Sequence, residues 1–206
     1  MPEEIGFVFA GRRVGLGKFN ATYASEFRRV LSTYLIGGAE NILEWGSGLT
    51  TQILAAHAQN LPAVKLLLTI DDKAEYQQAI FAQRARPPFL REIALDLTGP
   101  RNSDRDPEFA YSTYPLSLGC KFDFIFIDGR RRMECAFIAS LLCHQRTVVA
   151  IHDYRRTRYQ PILALFDVVE DGTEFRVLRL RPSVMTALGE GTARVGAGLS
   201  TPVRDC

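Results

Sequence analysis

Hydrophobic residues fall along this chain in short unbroken runs, separated by stretches with helical spacing. Residues 41–45, 65–70 and 122–127 are apolar runs, each closing on an acid or a glycine. Unbroken hydrophobicity suits strands covered on both faces, the situation inside a parallel sheet. Between them, residues 50–58 and 73–84 have the length and pattern of helices, which supply the crossovers that parallel strands need. Residues 90–95 predict a weaker strand and 146–151 a clear one. The order strand, helix, strand, helix, strand, loop, strand, helix, strand predicts a doubly wound α/β sheet.

The ends of the chain read differently. Phe27, Val30, Leu31, Tyr34 and Leu35 recur at helical spacing, so 23–35 is an amphipathic helix ahead of the first long strand. Residues 166–170 and 174–180 flank Asp171-Gly172, a strong turn signal, and predict an antiparallel hairpin that closes the sheet. Residues 99–111, rich in Gly, Pro, Asn, Ser and Asp, are expected to be irregular. Three parts follow: 1–21 as a flexible segment or lid, 22–182 as the folded domain, and 183–206 as a flexible tail.

Size and charge narrow the picture only a little. With 206 residues, 47% of them apolar, the chain buries one sizeable core and is too short for two ordinary domains. Lys and Arg number 25 against 23 Asp and Glu, a net charge of +2, so bulk electrostatics demands neither nucleic acid nor an acidic membrane. Cys120, Cys135, Cys143 and Cys206 form no Cys-x-x-Cys pair, which argues against structural zinc and for reduced thiols in a cytoplasmic protein. The start Met1-Pro-Glu-Glu-Ile-Gly lacks the pattern of a signal peptide, and no apolar run reaches the roughly 18 residues of a membrane span.

The chemistry sits at strand ends. Glu44-Trp45-Gly46-Ser47-Gly48 follows the first long strand, where open α/β sheets hold their ligands, and its two glycines allow a tight turn and close approach of a ligand. Asp71 ends the next strand, placed to accept hydrogen bonds from a ribose. An NAD fingerprint needs a glycine at 51, where this chain has Thr51. Asp128 ends the strand 122–127, and His152 and Asp153 end the one after it, so the three converge if those strands are neighbours. General-base catalysis by His152 or Asp128, a divalent metal held by Asp128, His152 and Asp153, and simple helix capping all remain open for the cluster.

Further from that centre, Arg130 and Arg155 are placed to clamp a carboxylate or phosphate on a substrate. Gly11-Arg-Arg-Val-Gly-Leu-Gly-Lys18 lacks the spacing of a phosphate loop, since Phe19 follows Lys18. His57 reads as a surface or packing residue, and His144 as a residue near a helix end, where the dipole accounts for it.

The pattern acid-x-Gly-x-Gly with Asp71 and the terminal hairpin resembles class I S-adenosylmethionine (SAM)-dependent methyltransferases. The resemblance implies a Rossmann-like, doubly wound, mostly parallel seven-stranded sheet ending in an antiparallel hairpin, with SAM as cofactor. It implies that Glu44 orients the amino-acid end of SAM, that Gly46, Ser47, Gly48 and Thr50 face it, that Asp71 and Asp72 hold the ribose, and that Asp96 lies near the adenine. Ile127-Asp128-Gly129-Arg130 with Ile151-His152-Asp153-Tyr154-Arg155-Arg156 is similar to uncharacterised bacterial methyltransferase-like proteins, distantly akin to plant glucuronoxylan methyltransferases. Those relatives carry a glycine pair where this chain has Cys143-His144-Gln145-Arg146-Thr147, which leaves a catalytically inactive binding module as the alternative. The expected reaction is methyl transfer to oxygen or nitrogen of a small, anionic, sugar-like acceptor, with no nucleic acid partner, no assigned metal and a homodimer left open.

Overall fold

The structure, a computed structural model, describes residues 6–15, 21–97 and 107–196. A separate antiparallel hairpin of β1 (Gly6–Phe9) and β2 (Arg12–Gly15) precedes α1 (Ala21–Tyr34). The chain then alternates β3 (Asn41–Trp45), α2 (Leu49–Ala58), β4 (Leu66–Asp71), α3 (Ala74–Ile80) and β5 (Leu90–Ala94). After α4 (Pro107–Thr113) come β6 (Phe122–Ile127), α5 (Arg132–Leu142), β7 (Cys143–His152), β8 (Phe166–Asp171), β9 (Phe175–Leu180) and α6 (Pro182–Gly196). The sheet runs β5-β4-β3-β6-β7-β9-β8. Its first five strands are parallel and β9 lies antiparallel between β7 and β8.

Strands buried on both faces explain the unbroken apolar runs. Alternate residues of β3 and β6 serve opposite cores: Ile42, Phe124 and Phe126 pack with α1 and α2, whereas Leu43, Ile125 and Ile127 pack with α5 and α6. Phe27 of α1 lies 4.6 Å from Phe126 and 5.3 Å from Phe175, ring centre to ring centre, tying the helix to the middle of the sheet. Because β3 pairs with β4 on one side and β6 on the other, successive crossovers leave in opposite directions. A crevice opens at the carboxyl ends of these strands.

Three local expectations are corrected. Residues 6–15 form the β1–β2 hairpin rather than a flexible entry, with Phe7 buried against α3, while 16–20 lie outside the described residues. Residues 182–196 form α6, whose Val184, Met185 and Leu188 pack on the second core; 98–106 and 197–206 lie outside the described residues. The last parallel strand starts at Cys143, directly after α5, and its pairing with β6 shifts register between Phe122 and Phe124. His144 follows the end of α5, as expected, and sits in that bulge, where its Nε2 lies 3.0 Å from Asp123 Oδ1. Thr147 accepts the His144 amide at 2.8 Å and donates to the Phe122 carbonyl at 2.6 Å, so side-chain hydrogen bonds span the bulge.

Cys135 and Cys143 are free and buried, as a reduced protein would have them; Cys120 departs from that expectation and is disulfide-bonded. Among the described residues no helix is long and apolar enough to cross a membrane.

Candidate functional site

The turn leaving β3 is built backbone against backbone. Gly46 has φ of 101°, the left-handed region, and a Cβ there would overlap the backbone nitrogen of Gly129 and sit 2.6 Å from its Cα. Gly129 is pressed in turn between Gly46 and the Tyr111 hydroxyl. The requirement for glycine at 46 thus comes from the turn that leaves β6, not from a ligand. Gly48 is the opposite case. Its backbone is extended, and the nearest atom to an added Cβ would be Tyr76 Oη at 3.8 Å.

Behind the turn lies a buried polar knot. Glu44 is wholly inaccessible and accepts hydrogen bonds from Thr50 Oγ1 at 2.8 Å, Thr51 Oγ1 at 2.7 Å and Thr69 Oγ1 at 2.9 Å. Burial pushes its carboxyl up to about 7, against the downward pull of the three hydroxyls. Thr51 Oγ1 also accepts the Gly48 amide at 2.7 Å, and the Ser47 and Thr69 hydroxyls share a hydrogen bond at 2.7 Å. Glu44 therefore braces the turn through its threonines and does not line the cavity. Asp71 does line it while also bracing it, taking the Ser47 amide on Oδ2 at 2.9 Å and the Lys73 amide on Oδ1 at 3.1 Å. Burial, then the neighbouring Asp72, raises the Asp71 carboxyl above the usual range.

These elements enclose a cavity of about 280 Å³ at the carboxyl ends of β3, β4 and β6. Of the residues expected there, Gly46, Ser47, Gly48, Thr50, Asp71, Asp72, Asp128 and Arg130 line it. Glu44, Asp96, His152, Asp153 and Arg155 do not. Asp96 is exposed just past β5. Arg155 lies over the Tyr154 ring and donates to the Gly172 carbonyl at 3.1 Å, which places it on the terminal hairpin. Asp153, with φ of 60°, faces arginines instead, 3.2 Å from Arg132 and 2.6 Å from Arg156.

Asp128 joins three elements. Its Oδ2 accepts the Tyr23 hydroxyl at 2.8 Å, and its Oδ1 lies 2.8 Å from both His152 Nδ1 and Arg132 Nη2. Arg132 also donates to the carbonyls of Asp128 and His152, clamping the ends of β6 and β7 together. His152 stands behind Asp128, its Nε2 3.6 Å from Glu174. Burial works against the imidazolium, but the hydrogen bond and charge of Asp128, helped by Asp153, lift the pKa above its ordinary value. Asp128→Asn is accordingly expected to bring the His152 pKa below about 6.5, since burial then dominates. An imidazole NMR titration checks this, and an unmoved pKa contradicts the pairing.

Tyr23, Tyr76 and Arg132 also line the cavity and were missed. Tyr23 was legible only as the first residue of an amphipathic helix, and Arg132 only as part of an arginine run. His57 is the packing residue expected, with Nε2 2.8 Å from the Leu35 carbonyl. Among the described residues no three His, Cys, Asp or Glu side chains are grouped to hold a metal.

No family profile and no curated protein matches the chain. Solved structures do. A methyltransferase-like protein from Silicibacter pomeroyi matches with a TM-score of 0.58 and 20% identity, over 84% of this chain and 94% of that one. MycE methyltransferase from the mycinamycin biosynthetic pathway, in complex with Mg and SAH, matches at 0.51 and 10%, over 77% and 46%. A T. thermophilus 16S rRNA N2 G1207 methyltransferase in complex with AdoMet and guanosine matches at 0.49 and 16%, over 85% and 49%. The chain has the fold of class I SAM-dependent methyltransferases, and spans about half the length of the last two. The kinship to plant glucuronoxylan methyltransferases is not shown by these matches. The expectation of a small-molecule or sugar-like acceptor and no nucleic acid does not stand, because the fold is shared by structures as different as MycE of the mycinamycin pathway and TrmN from Thermus thermophilus and so does not select an acceptor.

Proposed function

We propose that this chain binds SAM in the cavity at the ends of β3, β4 and β6 and acts as a methyltransferase on an oxygen or nitrogen nucleophile. The observation that carries the reading is the meeting, at the point where the sheet reverses its winding, of the glycine turn with Asp71 and Asp72 on one cavity. Its donor set fits an adenosyl group. Two adjacent carboxylates suit ribose hydroxyls, and Gly48 leaves the wall open where a side chain would intrude. SAM, when bound, supplies a methyl group activated by its sulfonium. Asp72 reaches Arg130 at 3.4 Å and lies in hydrogen-bonding contact with Asp71. Asp128 is the group placed to hold or take an acceptor's proton, with Tyr23 and Arg132 fixing its orientation.

A second reading, a binding module without catalysis, is favoured by one observation. Asp128 already accepts from Tyr23, Arg132 and His152, and His152 does not line the cavity. Both readings require the cofactor.

Calorimetric titration with S-adenosylhomocysteine is expected to show micromolar binding. Gly48→Leu is expected to abolish it by filling the cavity, whereas Gly48→Ala, whose Cβ makes only an ordinary contact with Tyr76 Oη at 3.8 Å, leaves unfolding stability within about 1 kcal/mol. Asp72→Ala is expected to weaken it about tenfold, the worth of roughly one hydrogen bond. No binding by the unaltered protein under several buffers would overturn both readings. Binding without methyl transfer across a broad acceptor panel that includes RNA and protein would leave only the second.

A further inference from the structure

The hairpin of β1 and β2 stands apart from the main sheet, and a hairpin of this size is not stable on its own. Its packing partner is therefore informative. Phe7 and Phe9 point to one side of β1, as residues two apart must, and Val8 points to the other, where it is 52% exposed. The two phenylalanines meet one ring. Phe7 lies 5.0 Å from Tyr76 at an interplanar angle of 80°, and Phe9 lies 5.2 Å away at 82°. Both are edge-to-face contacts, which hold a ring in orientation as well as in place.

Tyr76 is on α3, one turn past Asp71 and Asp72, and it lines the cavity beside Gly48. Burial and the charges of Asp71 and Asp128 raise its phenol pKa, so the hydroxyl remains a hydrogen-bond donor. The amphipathic logic of α3 does not account for the arrangement, because Gln77 and Ile80 already anchor that short helix to the sheet. Gln77 donates to the Ser47 hydroxyl at 2.9 Å and to the Ile93 carbonyl at 3.1 Å. Tyr76 is thus held from outside the main sheet, by a segment that touches the cavity through this ring.

We infer that Phe7 and Phe9 are positioning residues for the cofactor, acting through Tyr76, which the hairpin fixes as the wall against the adenosyl group. This rests on the proposed SAM site and adds to it a dependence on the hairpin of residues 6–15. The hairpin contributes affinity by preorganisation: a wall already ordered costs less to order on binding.

A double-mutant cycle tests it, read by calorimetry with S-adenosylhomocysteine on the full chain. Phe9→Ala is expected to weaken binding about tenfold, Phe9→Tyr to restore it, and Val8→Ser on the opposite side of the strand to change nothing. Tyr76→Ala is expected to weaken binding by more than tenfold. In that background Phe9→Ala should have no further effect, because the group it positions is gone. Phe9 is only partly buried, so its loss leaves the main sheet folded, which urea unfolding of each variant checks. Unchanged affinity in Phe9→Ala, or additive losses in the double variant, would overturn the inference while the unaltered protein still bound the probe. Absence of binding by the unaltered protein would instead overturn the SAM site on which it rests.

Discussion

Replacing Gly46 by alanine is expected to cost about 3–5 kcal/mol of unfolding stability, among the larger effects a single methyl group can have. Two physical causes add. The residue sits at φ of 101°, where a side chain is strained, and the new Cβ would press on Gly129, whose backbone cannot swing aside as a flexible side chain would. Gly129 has no room to retreat because Tyr111 lies on its other side, wholly buried and accepting the Trp45 indole N–H on its carbonyl at 3.1 Å. Gly48→Ala, two residues along, is expected to stay within about 1 kcal/mol, since its Cβ meets nothing nearer than 3.8 Å. Urea unfolding of the two variants side by side measures the contrast. Equal stabilities would show that the β3 and β6 turns do not pack as described. The contrast also bears on function: a loss of cofactor at position 46 reports a displaced turn, whereas a loss at 48 reports a filled cavity.

Glu44→Ala is expected to cost about 2–4 kcal/mol near pH 5, because Thr50, Thr51 and Thr69 lose their shared acceptor inside the core. The cost should shrink at higher pH. Glu44 binds its proton in the folded protein up to about 7, whereas the unfolded chain releases it near the ordinary 4.5. Between those values the folded state carries the extra proton, so stability falls as pH rises and levels off above 7. The fall attributable to Glu44 is about 3 kcal/mol, from 1.36 kcal/mol per pH unit over that interval. Asp71 is shifted the same way and leaves a residual slope of the same sign in the variant. Unfolding free energies of both proteins from about pH 5 to 8 decide the matter. A gap between them that widens with pH would contradict the buried, raised carboxyl.

Both predictions concern residues whose type was legible in the sequence and whose task was not. The acid-x-Gly-x-Gly turn was read as a surface that faces a ligand. Gly46, Ser47 and Gly48 do line the cavity, but Glu44 braces the turn from behind, and Gly46 is fixed as glycine by its contact with the β6 turn. Spacing along one segment cannot show this, because the partner, Gly129, is 83 positions away. Of the cluster expected from Asp128, His152 and Asp153, the first two meet at 2.8 Å, while Asp153 pairs with arginines. Only Asp128 reaches the cavity, since Arg132, seen in the sequence merely as one of three consecutive arginines, draws Asp153 to itself and ties down the end of β7.

What the sequence determined by itself is the alternation of strands and helices, the place where the winding reverses, and the hairpin at the end. These follow from local hydrophobic periodicity and turn chemistry, which act within a few residues. The tertiary structure alone decided which polar groups face the cavity, that Tyr23 and Tyr76 join them, and that 6–15 and 182–196 are ordered elements packed on the domain. The reason is physical. Orientation of a polar side chain and the docking of a short hairpin or terminal helix depend on partners brought near only by the completed sheet, and no local pattern encodes those distances.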